Sequence, residues 1–210
     1  ITGLCDIARP DIAILTGINE AHLERFGNIE NTTAAKFEII ENATPQALAV
    51  LNEDNALIKQ NYQKYLLERR VKFYSSKGPE QYQTGLLGQY VKGILGGAVI
   101  IAKELGLTDD EIRKGISQIK PVPHRLEPIL NKATNILVID DSYSGNPDGV
   151  REAIKVLSGF RDRRKIYITP GLVEMGDRTR EIHLEIGRRL AGAADVVILI
   201  KNSVTPHIAE

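Results

Sequence analysis

Residues 140–147, DDSYSGNP, combine acidic and small side chains with an Asn146-Pro147 pair. They close the apolar run ILVID (136–140), whose composition predicts a buried parallel strand. Asn146 suits an N-cap and Pro147 the first helical position, so a helix is expected to begin there. The segment then lies at the carboxyl end of a strand and just before a helix, where open α/β sheets bind ligands. Free N–H groups and the helix dipole at such a point attract phosphate. The plain alternative is a solvated turn with ordinary capping, and a strand–turn–helix junction alone does not decide between the two.

Four further residues carry chemistry in suggestive places. His22, in NEAHLERFG (19–27), follows the apolar run IAIL (12–15) and so sits beyond a second strand end. Lys36, in ENTTAAKFEI (30–39), has apolar neighbours and Glu38 close by. Arg125 stands in PHRLEPI (123–129), directly after a proline-rich break. His183 falls inside a helical pattern. Each has a structural alternative: a packing histidine, a lysine on an amphipathic helix, a hinge ion pair, and a surface or packing residue.

The elements that must position these residues are legible as an alternating α/β pattern. Strands are expected at 12–15, 47–52 and 71–75, with a helix over 32–42 that has Asn31 as a cap and another over 54–69. An apolar helix over 91–106 contains Gly93, Gly96 and Gly97, whose low helix propensity calls for close packing or a ligand in compensation. Thr108 and Glu111 form a capping box for a helix over 109–119. Pro121-Val122-Pro123 breaks it and is the best linker, dividing the chain into 1–122 and 123–210. Beyond it, strand 136–140, helix 147–158, strand 165–169, helix 178–191 and strand 195–200 read as a parallel, Rossmann-like half.

Composition excludes several classes. Lys+Arg and Asp+Glu both number 27 in 210 residues, which argues against a general nucleic-acid binder. A hydrophobic fraction of 42% supports a packed core. The single cysteine, Cys5, cannot form an internal disulfide, which fits a reducing cytoplasm. No apolar run reaches the length of a membrane span, so no membrane insertion is expected. The chain opens at Ile1 inside an apparent element and stops at Glu210 soon after a strand, so a fragment of a longer protein is expected.

Taken in order, His22 and its following glycine, AAKFEI, VLNEDN, HRLE, DDSYSGNP and TPGLVEMG resemble the Mur ligase family over essentially the whole chain. DDSYSGNP with TPGLVEMG resembles most its D-alanyl-D-alanine-adding branch. The resemblance implies the later part of the central ATP-binding domain over 1–122 and a Rossmann-like C-terminal ligase domain over 123–210. It implies a cytoplasmic, ATP- and Mg²⁺-dependent amide-bond former of peptidoglycan synthesis. A carboxylate would attack the γ-phosphate to give an acyl phosphate, and an amine would then displace phosphate. The substrates implied are a UDP-linked muramoyl peptide and an amino acid or dipeptide. His22 matches a magnesium ligand, and Lys36 a lysine that is carbamylated in several relatives. Carbamylation turns an ammonium into an oxygen donor, which suits so hard a cation. Arg125 and Asp141 match nucleotide-holding residues, Asp141 at the ribose, with Asn146 shaping the same site. TPGLVEMG would lie near the amino component.

The chain departs from the family at three points. No GxxGKT-like phosphate loop occurs, so it is expected upstream and the 210 residues alone are expected to be inactive. Ile94 stands where an adenine-contacting Asn is expected. The interval from Tyr74 to Gly88 is shorter than the family's, through loss or omission of a set of strands. Two alternatives therefore stay open: a non-catalytic relative that binds or partners, and another amide ligase of the superfamily such as a folylpolyglutamate or cyanophycin synthetase.

Overall fold

The computed structural model describes residues 1–21, 23–77 and 82–210. They fall into two compact units. One comprises Ile1–Asn19, Ile29–Gly85 and Gln89–Lys120; the other comprises Glu20–Asn28, Leu86–Gly88 and Pro121–Glu210.

The first unit is a three-stranded parallel sheet of order β1-β2-β3, with β1 at Ile12–Leu15, β2 at Leu48–Asn52 and β3 at Arg70–Tyr74. Helix α1 (Thr2–Ala8) precedes β1, α3 (Ile29–Glu41) connects β1 to β2, and α4 (Ala56–Leu66) connects β2 to β3. Phe37, Ile40, Leu51 and Ile58 form one fully buried layer between α3, α4 and the sheet. Phe37 also stacks on Tyr65, with ring centroids 4.5 Å apart. The opposite face, with Leu48, Val50 and Tyr74, is covered by α5 (Tyr90–Glu104). Gly97 lets α5 come this close: a Cβ there would lie 2.9 Å from Ile14 Cδ1 and 3.1 Å from Tyr74 Cε1. Close packing, then, compensates that glycine's low helix propensity. The Thr108–Glu111 capping box is present at the start of α6 (Asp109–Ser117). Helix α3 starts earlier than its sequence pattern suggests, which puts Asn31 in the first turn and not at the cap.

In the second unit, α2 (Leu23–Phe26) belongs to the segment Glu20–Asn28. The rest begins with an antiparallel pair, β4 (Glu127–Asn131) and β5 (Ile136–Asp140). The expectation of a buried parallel strand over 136–140 is thus corrected. The run ILVID pairs with a preceding strand that its own periodicity could not announce, and Ile136 and Val138 remain 57% and 50% exposed. Helix α7 (Pro147–Ser158), β6 (Ile166–Thr169), α8 (Thr179–Ala191) and β7 (Val196–Leu199) follow, with β6 and β7 parallel. Val150, Ile154, Ile182, Ile186 and Leu190 pack the helices together, and Tyr167 and Leu199 lie against them from the strands. Glu185 of α8 accepts from Arg151 of α7 and from Arg189, and these guanidinium groups hold its carboxyl down to about 2. The closing helix α9 (Pro206–Ala209) approaches α8 at Gly187, where a Cβ would collide with the Ile208 carbonyl oxygen. No helix among the described residues is long and apolar enough to cross a membrane.

Candidate functional site

In the second unit, the segment after the prolines is knitted to the loop that leaves β5. Arg125 donates from both terminal nitrogens to Ser144, at 2.8 Å to the carbonyl and 2.9 Å to Oγ. Its guanidinium lies over the Tyr143 ring, 4.7 Å from the centroid. The Leu126 N–H donates to Asp141 Oδ1 at 3.1 Å, and the Tyr143 N–H to the His124 carbonyl at 3.3 Å. His124 and Leu126 both have positive φ, 62° and 46°, an unusual conformation for side-chain-bearing residues. These two turns flank Arg125, and the surrounding bonds hold them against that preference. Two of the predicted residues, Arg125 and Asp141, are therefore brought into one network.

Asp141 is half-buried, and loss of water pushes its carboxyl up from the ordinary aspartate range. The Leu126 N–H and the Arg125 charge act against that rise, and Asp140 adds to it. A carboxylate so placed accepts hydrogen bonds only, and a planar guanidinium beside it suits anionic or hydroxyl-bearing ligands. Asn146 caps α7: its side-chain oxygen accepts the Gly149 N–H at 3.0 Å, and Pro147 begins the helix as expected.

His124 and Asp140 are site neighbours that sequence reasoning passed over. His124 Nδ1 lies 2.7 Å from Asp140 Oδ2, and the carboxylate raises the imidazole's pKa above its ordinary value. The signal was there: a histidine directly before Arg125 and an acid at the strand end directly before Asp141. Among the described residues, His124, Glu127 and Asp140 also form the one cluster whose ligand atoms are close enough together for a cation. They already serve one another, since Glu127 accepts the His124 N–H at 3.1 Å.

The loop after β6, residues 170–176, lies beside this network. Leu172 is buried, and the absent Cβ of Gly145 leaves its place: an atom there would be 2.6 Å from Leu172 Cδ2. His183, expected on a surface or in packing, is fully buried and accepts the Leu172 N–H.

In the first unit, Lys36 is half-buried in the middle of α3, among Phe37 and Ile40, which face the core. His22 lies outside the described residues. The VLNEDN segment has a clear local task. Asn52 and Asn55 donate to the carbonyls of Thr16 and Ile18, at 2.8 and 3.0 Å, fixing the chain as it leaves β1. Ile94 is 48% exposed on α5 and offers apolar contact with no hydrogen bond.

Two known domain families match this chain: the Mur ligase middle domain over residues 2–93, and the Mur ligase glutamate ligase domain over residues 124–209. The UDP-N-acetylmuramoyl-tripeptide–D-alanyl-D-alanine ligase of Escherichia coli is 28% identical over 225 residues, covering 94% of this chain and 49% of that protein. Its Haemophilus influenzae counterpart is 27% identical, over 87% of this chain and 44% of that protein. Among solved structures, MurF ligase from Thermotoga maritima in complex with ADP matches at 26% identity and a TM-score of 0.81, over 99% of this chain and 53% of that one. MurF from Acinetobacter baumannii shares the fold with a TM-score of 0.89 at 23% identity. This chain spans about half the length of the relatives it matches.

Proposed function

The chain belongs to the Mur ligase family, and from that premise we propose that it is the nucleotide-facing and amino-component-facing part of an ATP-dependent amide ligase of peptidoglycan precursor synthesis. The observation that carries the reading is the network in which Arg125 and Asp141 are held together by Leu126, Tyr143 and Ser144. In this reading ATP supplies the phosphoryl group that activates a carboxylate of a UDP-linked muramoyl peptide, and the attacking amine belongs to an amino acid or dipeptide, D-alanyl-D-alanine by similarity to the E. coli relative. The setting is the cytoplasm.

Asp141 would accept from the ribose hydroxyls while Leu126 keeps its other oxygen oriented. Arg125, braced on Ser144 and Tyr143, would face the phosphates. Asn146 contributes by fixing the start of α7. Mg²⁺ would neutralise phosphate charge, held by His22 and by Lys36 in carbamylated form. An unmodified ammonium has donors only and cannot ligate a cation, so the lysine fits the ion only once it carries that extra carboxylate. Residues 1–122 would belong to the central ATP-binding domain and 123–210 to the C-terminal domain, with Pro121–Pro123 as the hinge.

Ile94 favours a second reading, a relative that keeps the fold and binds without turnover. One experiment separates them: ADP release by the longer protein carrying this segment, assayed with UDP-muramoyl tripeptide and D-alanyl-D-alanine. Release that requires both substrates supports the ligase. Nucleotide binding without release supports the second reading. The 210 residues alone are expected to show no turnover.

A further inference from the structure

His183 is wholly buried in α8, and both ring nitrogens are engaged. Nδ1 lies 2.6 Å from the Thr179 carbonyl, which can only accept. Nε2 lies 2.9 Å from the Leu172 N–H, which can only donate. The partners therefore fix a neutral ring with its hydrogen on Nδ1. The receiving loop has unusual backbone: φ is 77° at Gly171, 61° at Glu174 and 57° at Gly176. Gly171 sits directly on the imidazole, since a Cβ there would be 2.9 Å from Nε2 and 2.7 Å from Val204 Cγ2. Leu172 then passes into the space left by Gly145 in the turn after β5. One side chain thus ties the loop after β6 to helix α8, and through Leu172 to the turn that carries Asp141, Ser144 and Asn146.

We infer that His183 is a positioning residue of the candidate site, whose neutral imidazole holds the Leu172 backbone and so sets the relative placement of loops 140–147 and 170–176. A leucine or phenylalanine would fill the same volume. A histidine is used because the Leu172 amide is buried and must find an acceptor. The functional half of this inference rests on reading those two loops as the nucleotide and amino-component loops; the geometric half stands alone.

Two substitutions separate acceptor from filler. In His183→Gln the side-chain oxygen reaches the position of Nε2 and can still accept the Leu172 N–H. In His183→Asn the shorter amide reaches only the position of Nδ1, keeping the Thr179 contact and losing Leu172. NMR on the 210-residue protein is the first arm. Hydrogen exchange at the Leu172 amide should quicken about tenfold or more in His183→Asn and stay near the wild-type rate in His183→Gln. The Gly145 amide resonance should move only in the former, and the wild-type Nε2 should show the ¹⁵N shift of an unprotonated nitrogen. Equal exchange in both variants, or a protonated Nε2, overturns the inference. In the second arm, with the longer protein, His183→Asn should raise the KM for the amino component about tenfold and His183→Gln should restore it. Equal KM values in the two variants, with the NMR differences intact, overturn the functional half. A wild-type protein without any ligase activity refutes the proposed function instead and leaves the first arm decisive.

Discussion

In the first unit β2 is buried from Leu48 to Leu51, with α3 and α4 on one face and α5 on the other. In the second unit β6 alternates. Tyr167 and Thr169 turn toward α7 and α8, while Ile166 and Ile168 stay 47% and 61% exposed. Its neighbour β7 exposes Ile198 in register with Ile168. Both strands are short apolar runs, so composition alone does not tell how many faces a parallel strand will bury. The number of helices available to cover the sheet decides it. The first unit holds its strand ends on a two-sided sheet. The second holds them on bonds between loops, as Arg125, Leu126 and His183 do.

Substituting one strand residue in each sheet separates the two units most strongly. Leu51→Ala should destabilise the first unit by about 2–5 kcal/mol, because a fully buried leucine leaves a cavity in a sheet closed on both faces. Ile168→Thr should change the stability of the second unit by no more than about 0.5 kcal/mol. Denaturant unfolding followed separately in each unit checks both, and comparable losses would mean that the exposed face of β6 is not free. A smaller effect tests what Asn146 does. Asn146→Ala should cost about 1 kcal/mol through loss of the α7 cap, and Asn146→Asp should recover it. A loss of nucleotide affinity that Asp fails to recover, with the helix intact, would give Asn146 a binding role beyond capping.

The smallest effect is a pH dependence confined to the second unit. His124 has a raised pKa through its bond to Asp140. Its contribution is therefore fully present below the ordinary histidine value of about 6.5 and is lost as pH climbs through the folded value. Stability of the second unit should fall across that window in the wild type, and the fall should vanish in His124→Gln. An unchanged slope would assign the titration to another group.

How much of this was legible beforehand differs between the units for physical reasons. The strands at 12–15 and 48–52, the Thr108–Glu111 box and the Asn146-Pro147 helix start were readable because each depends on neighbours a few residues away. The pairing of 136–140 was not. An antiparallel partner at Glu127–Asn131 depends on a turn and on contacts that local periodicity does not encode. Arg125 and Asp141 could be named from their motifs. The role of Leu126, a backbone N–H given to a carboxylate fifteen positions on, could not. His183 looked ordinary because nothing in a helical pattern marks which residue meets a strained loop.

The role proposed for the Arg125–Asp141 network is to hold a nucleotide. Asp141→Asn is the test, because the amide oxygen still accepts the Leu126 N–H while the other oxygen becomes an NH2 donor and the charge is lost. Measured in the longer protein that carries this segment, the KM for ATP should rise roughly 10- to 100-fold, the loss expected for a charge-assisted hydrogen bond to ligand. The KM for the amino component should stay near its wild-type value. An unchanged KM for ATP, with the 122–146 segment still folded as in the wild type, would rule that role out.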